Sequence, residues 1–149
     1  MNWILQSPGK ASEFELTSED GQIIKFKYSH NQQSIRMRYN EHYGVYLLDD
    51  DSFVSRKFAI RNVYGSEIGT LSKGLWRENT GTLFFNEVTD KINYHIDQKQ
   101  SAIQVFTGIR EKDTIAIADG NVDENYMLSL IVYSWVKLIA KAVHSPELI

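Results

Sequence analysis

The chain has 149 residues, 42% of them hydrophobic, with no cysteine and a formal net charge of −3. A chain of this length can bury a core of its own without staples, and the missing cysteines exclude disulfides, thiol nucleophiles and cysteine zinc sites. The acidic balance argues against a general nucleic-acid binder, which carries a basic excess.

The first ten residues, MNWILQSPGK, have neither a basic start nor a long apolar run, so they do not read as a secretory signal. Together with the absent cysteines this points to a cytoplasmic protein. Short strands then follow at regular intervals. The candidates are Trp3–Leu5, Phe14–Thr17, Ile23–Tyr28, Ile35–Tyr39, Val45–Leu48, Phe53–Ile60, Ser66–Leu71, Thr82–Phe85, Ile92–Ile96, Ile103–Thr107 and Ile115–Ala118. Turn signals separate them, among them Asp20-Gly21, the stretch Ser29 to Ser34, Tyr64-Gly65, Asn79 to Gly81 and Asp119-Gly120. With only two prolines, no repeat and no linker, residues 1–149 read as one domain.

Several strands alternate with period two. Ile24, Phe26 and Tyr28 oppose Lys25 and Lys27; Ile35, Met37 and Tyr39 oppose Arg36 and Arg38; Phe58 and Ile60 oppose Lys57, Ala59 and Arg61. One apolar face per strand means a sheet covered on one side and wet on the other.

The chain ends differently. Tyr126 to Val136 reads YMLSLIVYSWV, without a charge, and continues KLIAKAV to Val143. This predicts a helix over about 124–143, with Asp123 as N-cap, Glu124 at the positive end of the dipole, Lys137 and Lys141 near its C-terminal end, and Pro146 beyond it. A helix that is apolar nearly all round must be wrapped on most sides. The span of 18 residues from Tyr126 to Val143 is about 27 Å long, close to a bilayer core. The uncharged run is only eleven residues, a length typical of buried core helices, so no transmembrane span is expected. Leu130, Ile131 and Trp135 should be largely buried. The fold expected is mainly β: an antiparallel barrel of about 10–12 short strands closed around an apolar C-terminal helix, which also removes exposed strand edges.

Many strands followed by one apolar C-terminal helix resembles the tubby C-terminal-like superfamily, which includes tubby proteins, phospholipid scramblases and LURP-one-related proteins. The segment RNVYGSEIGTL, Arg61 to Leu71, looks like a hairpin that recurs in that group, and Glu124 to Val136 looks like its terminal helix. The resemblance implies a binding or membrane-linked role: tubby domains bind phosphoinositide head groups through basic residues on the barrel, and scramblases are linked to lipid movement. The scramblase marks are a Pro-rich arm, an acylated Cys-rich stretch and an acidic calcium segment; this chain has no Cys and no such arm. No tubby basic motif aligns residue by residue. Other β-then-helix folds, including lipid-carrying helix-grip domains, also fit the order of elements.

The residues themselves offer one basic constellation. If Ile23–Tyr28 and Ile35–Tyr39 pair around the loop SHNQQS, Tyr28 meets Ile35 and Phe26 meets Met37. Lys27 then lies opposite Arg36 and Lys25 opposite Arg38, all on the solvent face. Directly opposed like charges destabilise a sheet, so four such cations call for an anionic partner or for acids on the next strand. Lys57 and Arg61 extend the patch if their strand lies adjacent. The plainer reading is a solvated strand face with lysines blunting an edge.

Other candidates carry less. The run Asp49, Asp50, Asp51 lacks the ligand spacing of a calcium loop and reads as a turn. His30, His42, His95 and His144 are scattered, without metal-binding spacing, and no serine sits in a G-x-S-x-G elbow. Trp76 reads as an aromatic cover over one barrel mouth or a contact residue. No cofactor or metal is expected. Two functions from different classes stand. The first is a non-catalytic binding module, monomer or homodimer, that meets anionic lipid head groups or another anionic ligand or protein partner through the basic hairpin. The second is a small helix-grip-type carrier or enzyme with a cavity between sheet and helix. A helix surrounded by strands favours the first; a helix lying across an open sheet favours the second.

Overall fold

A computed structural model of the chain describes residues 1–7, 13–29, 31–50, 57–73, 79–107, 111–118 and 126–140. The strands are β1 (Asn2–Gln6), β2 (Glu13–Ser18), β3 (Ile23–Ser29), β4 (Ser34–Tyr39), β5 (His42–Asp50), β6 (Lys57–Arg61), β7 (Glu67–Lys73), β8 (Thr80–Phe85), β9 (Ile92–Asp97), β10 (Ala102–Thr107) and β11 (Glu111–Ile117), and α1 (Tyr126–Ser134) follows. Each strand expected from the sequence corresponds to one of these. The candidate Phe53–Ile60 is described only from Lys57, and Trp76, Asp123, Glu124, Lys141, Pro146, Asp51, His30 and His144 lie outside the described residues.

The strands close into one barrel in the order β1-β11-β10-β9-β8-β7-β6-β5-β4-β3-β2. Every neighbouring pair is antiparallel except one: β1 runs parallel to β11, with Trp3 beside Ile115 and Leu5 beside Ile117. Parity explains this departure from the all-antiparallel expectation. Strand direction alternates around an antiparallel ring, and an odd number of strands, eleven here, cannot alternate to closure. One seam must be parallel.

Alternation fixes which residues fill the barrel. Leu16, Ile24, Ile35, Ile60, Leu71, Leu83, Ile92, Ile103 and Ile115 point inward and are fully buried. Ala59 departs from the expected wet face. It is outward by register, opposite Thr70, yet both are buried, in a row that continues to Phe84. The β6–β7 hairpin turns at Gly65, whose φ of 85° suits glycine, and carries an irregularity after Ile60 that leaves Ile68 out of register.

The helix fills the barrel. Met127 through Val136 are buried on every face, Leu130, Ile131 and Trp135 among them, and α1 touches both β3 and β8, which lie five strands apart round the wall. The helix therefore does not lie across an open sheet. It is α-helical only to Ser134; Trp135–Ala140 is π-helical. The change comes where the Ser134 hydroxyl donates to the Leu130 carbonyl at 2.6 Å, competing for the acceptor of the regular i−4 ladder. No helix among the described residues is long and apolar enough to cross a membrane.

Polar contacts tie the helix to the seam. The Tyr133 hydroxyl donates to Asp113 Oδ2 at 2.6 Å, the Lys137 ammonium lies 3.7 Å from the same oxygen, and the Met1 ammonium lies 3.1 Å from Oδ1. The Tyr133 ring meets Trp3 edge-on at 6.2 Å. On the far wall, burial beside Phe85 pushes the Tyr46 hydroxyl up to about 12, with Glu87 adding to the rise and a hydrogen bond with Trp135 opposing it.

Gly81 marks the tightest approach among the described glycines. A Cβ there would press on the Ser72 carbonyl oxygen and the Tyr94 ring inside contact distance. Neither can retreat, because one is backbone and the other a buried ring. Gly81→Ala is expected to cost about 1–3 kcal/mol or more, read as a lowered denaturation midpoint with unchanged slope.

Candidate functional site

The basic hairpin forms as the alternation requires. Tyr28 pairs with Ile35 and Phe26 with Met37, so Lys27 lies opposite Arg36 and Lys25 opposite Arg38. All four cations are exposed on the outer wall. On one side stands β2, whose Glu13 faces Lys27 and whose Glu15 faces Lys25. On the other stands β5, with Val45 beside Arg36 and Tyr43 beside Arg38.

The alternative of acids on the next strand is thus partly met. Lys27 Nζ lies 3.0 Å from Glu13. Lys25, Arg36 and Arg38 have no carboxylate within 4.0 Å among the described residues; Arg38 instead lies over the Tyr43 ring at 5.5 Å, a modest cation–π contact. Four cations against two carboxylates leave this wall positive in a chain that is negative as a whole. A groove of about 560 Å³ runs across it, lined by Glu13, Glu15, Lys25, Lys27, Arg36, Arg38 and Tyr43 among others.

A smaller hollow of about 300 Å³ adjoins the groove at the hairpin end, lined by Lys27, Tyr28, Ser29, Gln32, Ser34 and Arg36. Ser34 shares the outward parity of Arg36, yet is buried, and its hydroxyl has no hydrogen-bond partner among the described residues. A buried hydroxyl without a partner costs about 1–3 kcal/mol. This one is a donor beside two cations, an arrangement suited to an anionic oxygen. Sequence reading missed Ser34, since a serine at a strand start looks like turn chemistry; its parity with Arg36 and Arg38 was the available signal.

Lys57 and Arg61 do not join the patch, because β5 lies between β4 and β6. Arg61 faces Leu47 across the ladder and is engaged with Asp49 at 3.4 Å and the Gly65 carbonyl at 3.2 Å. Lys57 lies four residues further along the strand, opposite Ser72. The aspartate run is divided: Asp49 pairs with Arg61, and Asp50 ends β5. His95 is exposed on β9 and His42 is half-buried at the start of β5.

No family model, curated protein or solved structure matches the chain.

Proposed function

We propose that the chain is a non-catalytic binding module of tubby C-terminal-like architecture, which meets anionic lipid head groups through the outer wall of β2–β5. The observation that carries this reading is the positive groove with the Ser34 hydroxyl, unpartnered among the described residues, beside Arg36 and Lys27. Arginine forks and lysine ammonium groups on a concave face suit phosphate oxygens. A helix that fills the barrel leaves the outer wall as the contact surface, which favours this reading over a carrier with an internal cavity.

The contact is electrostatic and local. Each basic residue near an anionic bilayer surface adds about 1 kcal/mol, and exposed charges are screened over about 8–10 Å at physiological salt. Net charge of −3 opposes long-range attraction, so binding is expected at low salt, with vesicles of phosphatidylglycerol or a phosphoinositide in phosphatidylcholine, and not with phosphatidylcholine alone. Changing Lys25, Lys27, Arg36 and Arg38 together to Gln is expected to lower vesicle binding by about three orders of magnitude with an unchanged melting temperature. Equal binding by the variant, or none by the original chain, would reduce this wall to a solvated strand face.

A further inference from the structure

The hollow at the end of the β3–β4 hairpin differs from the adjoining groove in its charge. The groove sets its cations among Glu13 and Glu15. The hollow is lined by Lys27 and Arg36 with Tyr28, Ser29, Gln32 and Ser34: two cations and no carboxylate among the described residues. Lys27 also meets Glu13 at 3.0 Å, on the groove side, and Glu13 does not line the hollow. Ser34 is 3% exposed, and its hydroxyl has no partner among the described residues. It closes the ladder opposite Ser29 with the outward parity of Arg36, so it belongs to the outer wall and not to the core.

The backbone holds this end of the hairpin in place. Ser29 Oγ accepts from the Gln32 amide at 3.4 Å. Gln33 takes a φ of 47°, a conformation uncommon outside glycine and one that clusters at ligand sites. Its carbonyl accepts from the Leu48 amide at 2.9 Å, so β5 fixes the turn into β4. Ser34 and Arg36 are therefore positioned before a ligand arrives, which lowers the ordering cost of binding.

Charge and donor count choose the ligand. A phosphate monoester carries about −1.5 to −2 charges at pH 7 and three oxygens that accept strongly. A phosphodiester carries one charge and has two such oxygens. Two cations, the hydroxyls of Ser29 and Ser34 and the Gln32 amide group match the first and exceed the needs of the second. A volume of about 300 Å³ is at the lower end for small-ligand sites, suited to a single phosphate ester.

We infer that this hollow is a subsite for one phosphate monoester dianion, held by Arg36, Lys27 and the Ser34 hydroxyl. The inference rests on the reading of the basic wall and narrows the head groups that the wall prefers. The ligand chemistry is the phosphate ester itself, carried by a lipid or free in solution.

The test has two arms. In the first, inorganic phosphate is titrated into the full chain against chloride at constant ionic strength while amide resonances are followed. Saturable shifts are expected at Ser29, Gln32 and Ser34. Ser34→Ala removes a buried hydroxyl that has no partner among the described residues, so it should melt no lower than the original chain, and it is expected to weaken phosphate binding by about tenfold. In the second arm, vesicles of phosphatidic acid (a monoester) in phosphatidylcholine are compared with vesicles of phosphatidylglycerol (a diester) at matched surface charge. The original chain is expected to prefer phosphatidic acid by about tenfold, and Ser34→Ala to erase the preference. Saturation by phosphate with equal affinity for the two vesicles supports the subsite and assigns it a soluble phosphate ester. Saturation by phosphate without binding to either vesicle overturns the lipid reading of the wall and supports the subsite. An absent saturable shift, or equal phosphate affinity in Ser34→Ala, overturns the subsite; vesicle binding in that case leaves the wall as an unselective anionic contact.

Discussion

Deleting the helix, residues 126–149, is expected to abolish the cooperative thermal transition and leave a collapsed or aggregated chain. The inward residues of nearly every strand are fully buried, and in a closed barrel they are buried largely against the helix. Leu130, Ile131 and Val132 are each at 0% exposure. Fully burying one such side chain is worth about 1.5–3 kcal/mol, and a domain has about 5–15 kcal/mol of net stability. Removing the plug forfeits more than the margin and leaves a lined void. A milder version is Leu130→Ala, expected to cost about 2–5 kcal/mol because neighbours on all sides cannot collapse into the gap. Calorimetry decides between outcomes: a truncated chain that melted cooperatively near the full-length temperature would show that the barrel is self-supporting.

Much of this architecture was legible because period two and an uncharged helix are strong signals that agree. IKFKY and IRMRY each place apolar residues on one side, and pairing them around the short loop with those sides together sets Lys25 opposite Arg38 and Lys27 opposite Arg36, as the barrel has them. The losses have physical causes. The start of β11 was hidden because Lys112, Asp113 and Thr114 are polar, yet Asp113 shares the inward parity of Ile115 and Ile117 and is buried. The parallel seam is a property of strand number, and no local pattern encodes it. The π-helical turn depends on Ser134, which reads from sequence as one more small residue diluting a helix. The acids flanking the basic hairpin were foreseen as an alternative, but Glu13 and Glu15 became neighbours only once β2 was placed beside β3.

Asp113→Ala is expected to be the most damaging polar substitution among the described residues. Asp113 is 7% exposed and joins the parallel seam to the plug through its charge: it accepts from Tyr133 and faces both the Met1 ammonium and Lys137. Removing it takes an acceptor from a buried phenol and a counter-charge from a partly covered lysine, and breaking a buried pair from one side costs about 3–5 kcal/mol. Asp113→Asn keeps an acceptor for Tyr133 and loses only the charge, so it should fall between. The pH dependence separates charge from packing. Burial works to raise this carboxyl, but the Tyr133 hydrogen bond, the Met1 ammonium and Lys137 together outweigh it and hold it below its ordinary value of 3.8. A carboxyl lower in the folded state binds fewer protons there than in the unfolded chain. Its contribution is therefore complete above about pH 4–5 and is lost as pH falls below that, toward its folded value. Denaturant midpoints measured from pH 7 down to pH 3 should show a steep acid limb in the original chain and a shallower one in Asp113→Asn. Parallel limbs in the two proteins would mean that the carboxylate's charge does not hold the seam, and that Asp113 acts there through its hydrogen bond to Tyr133 alone.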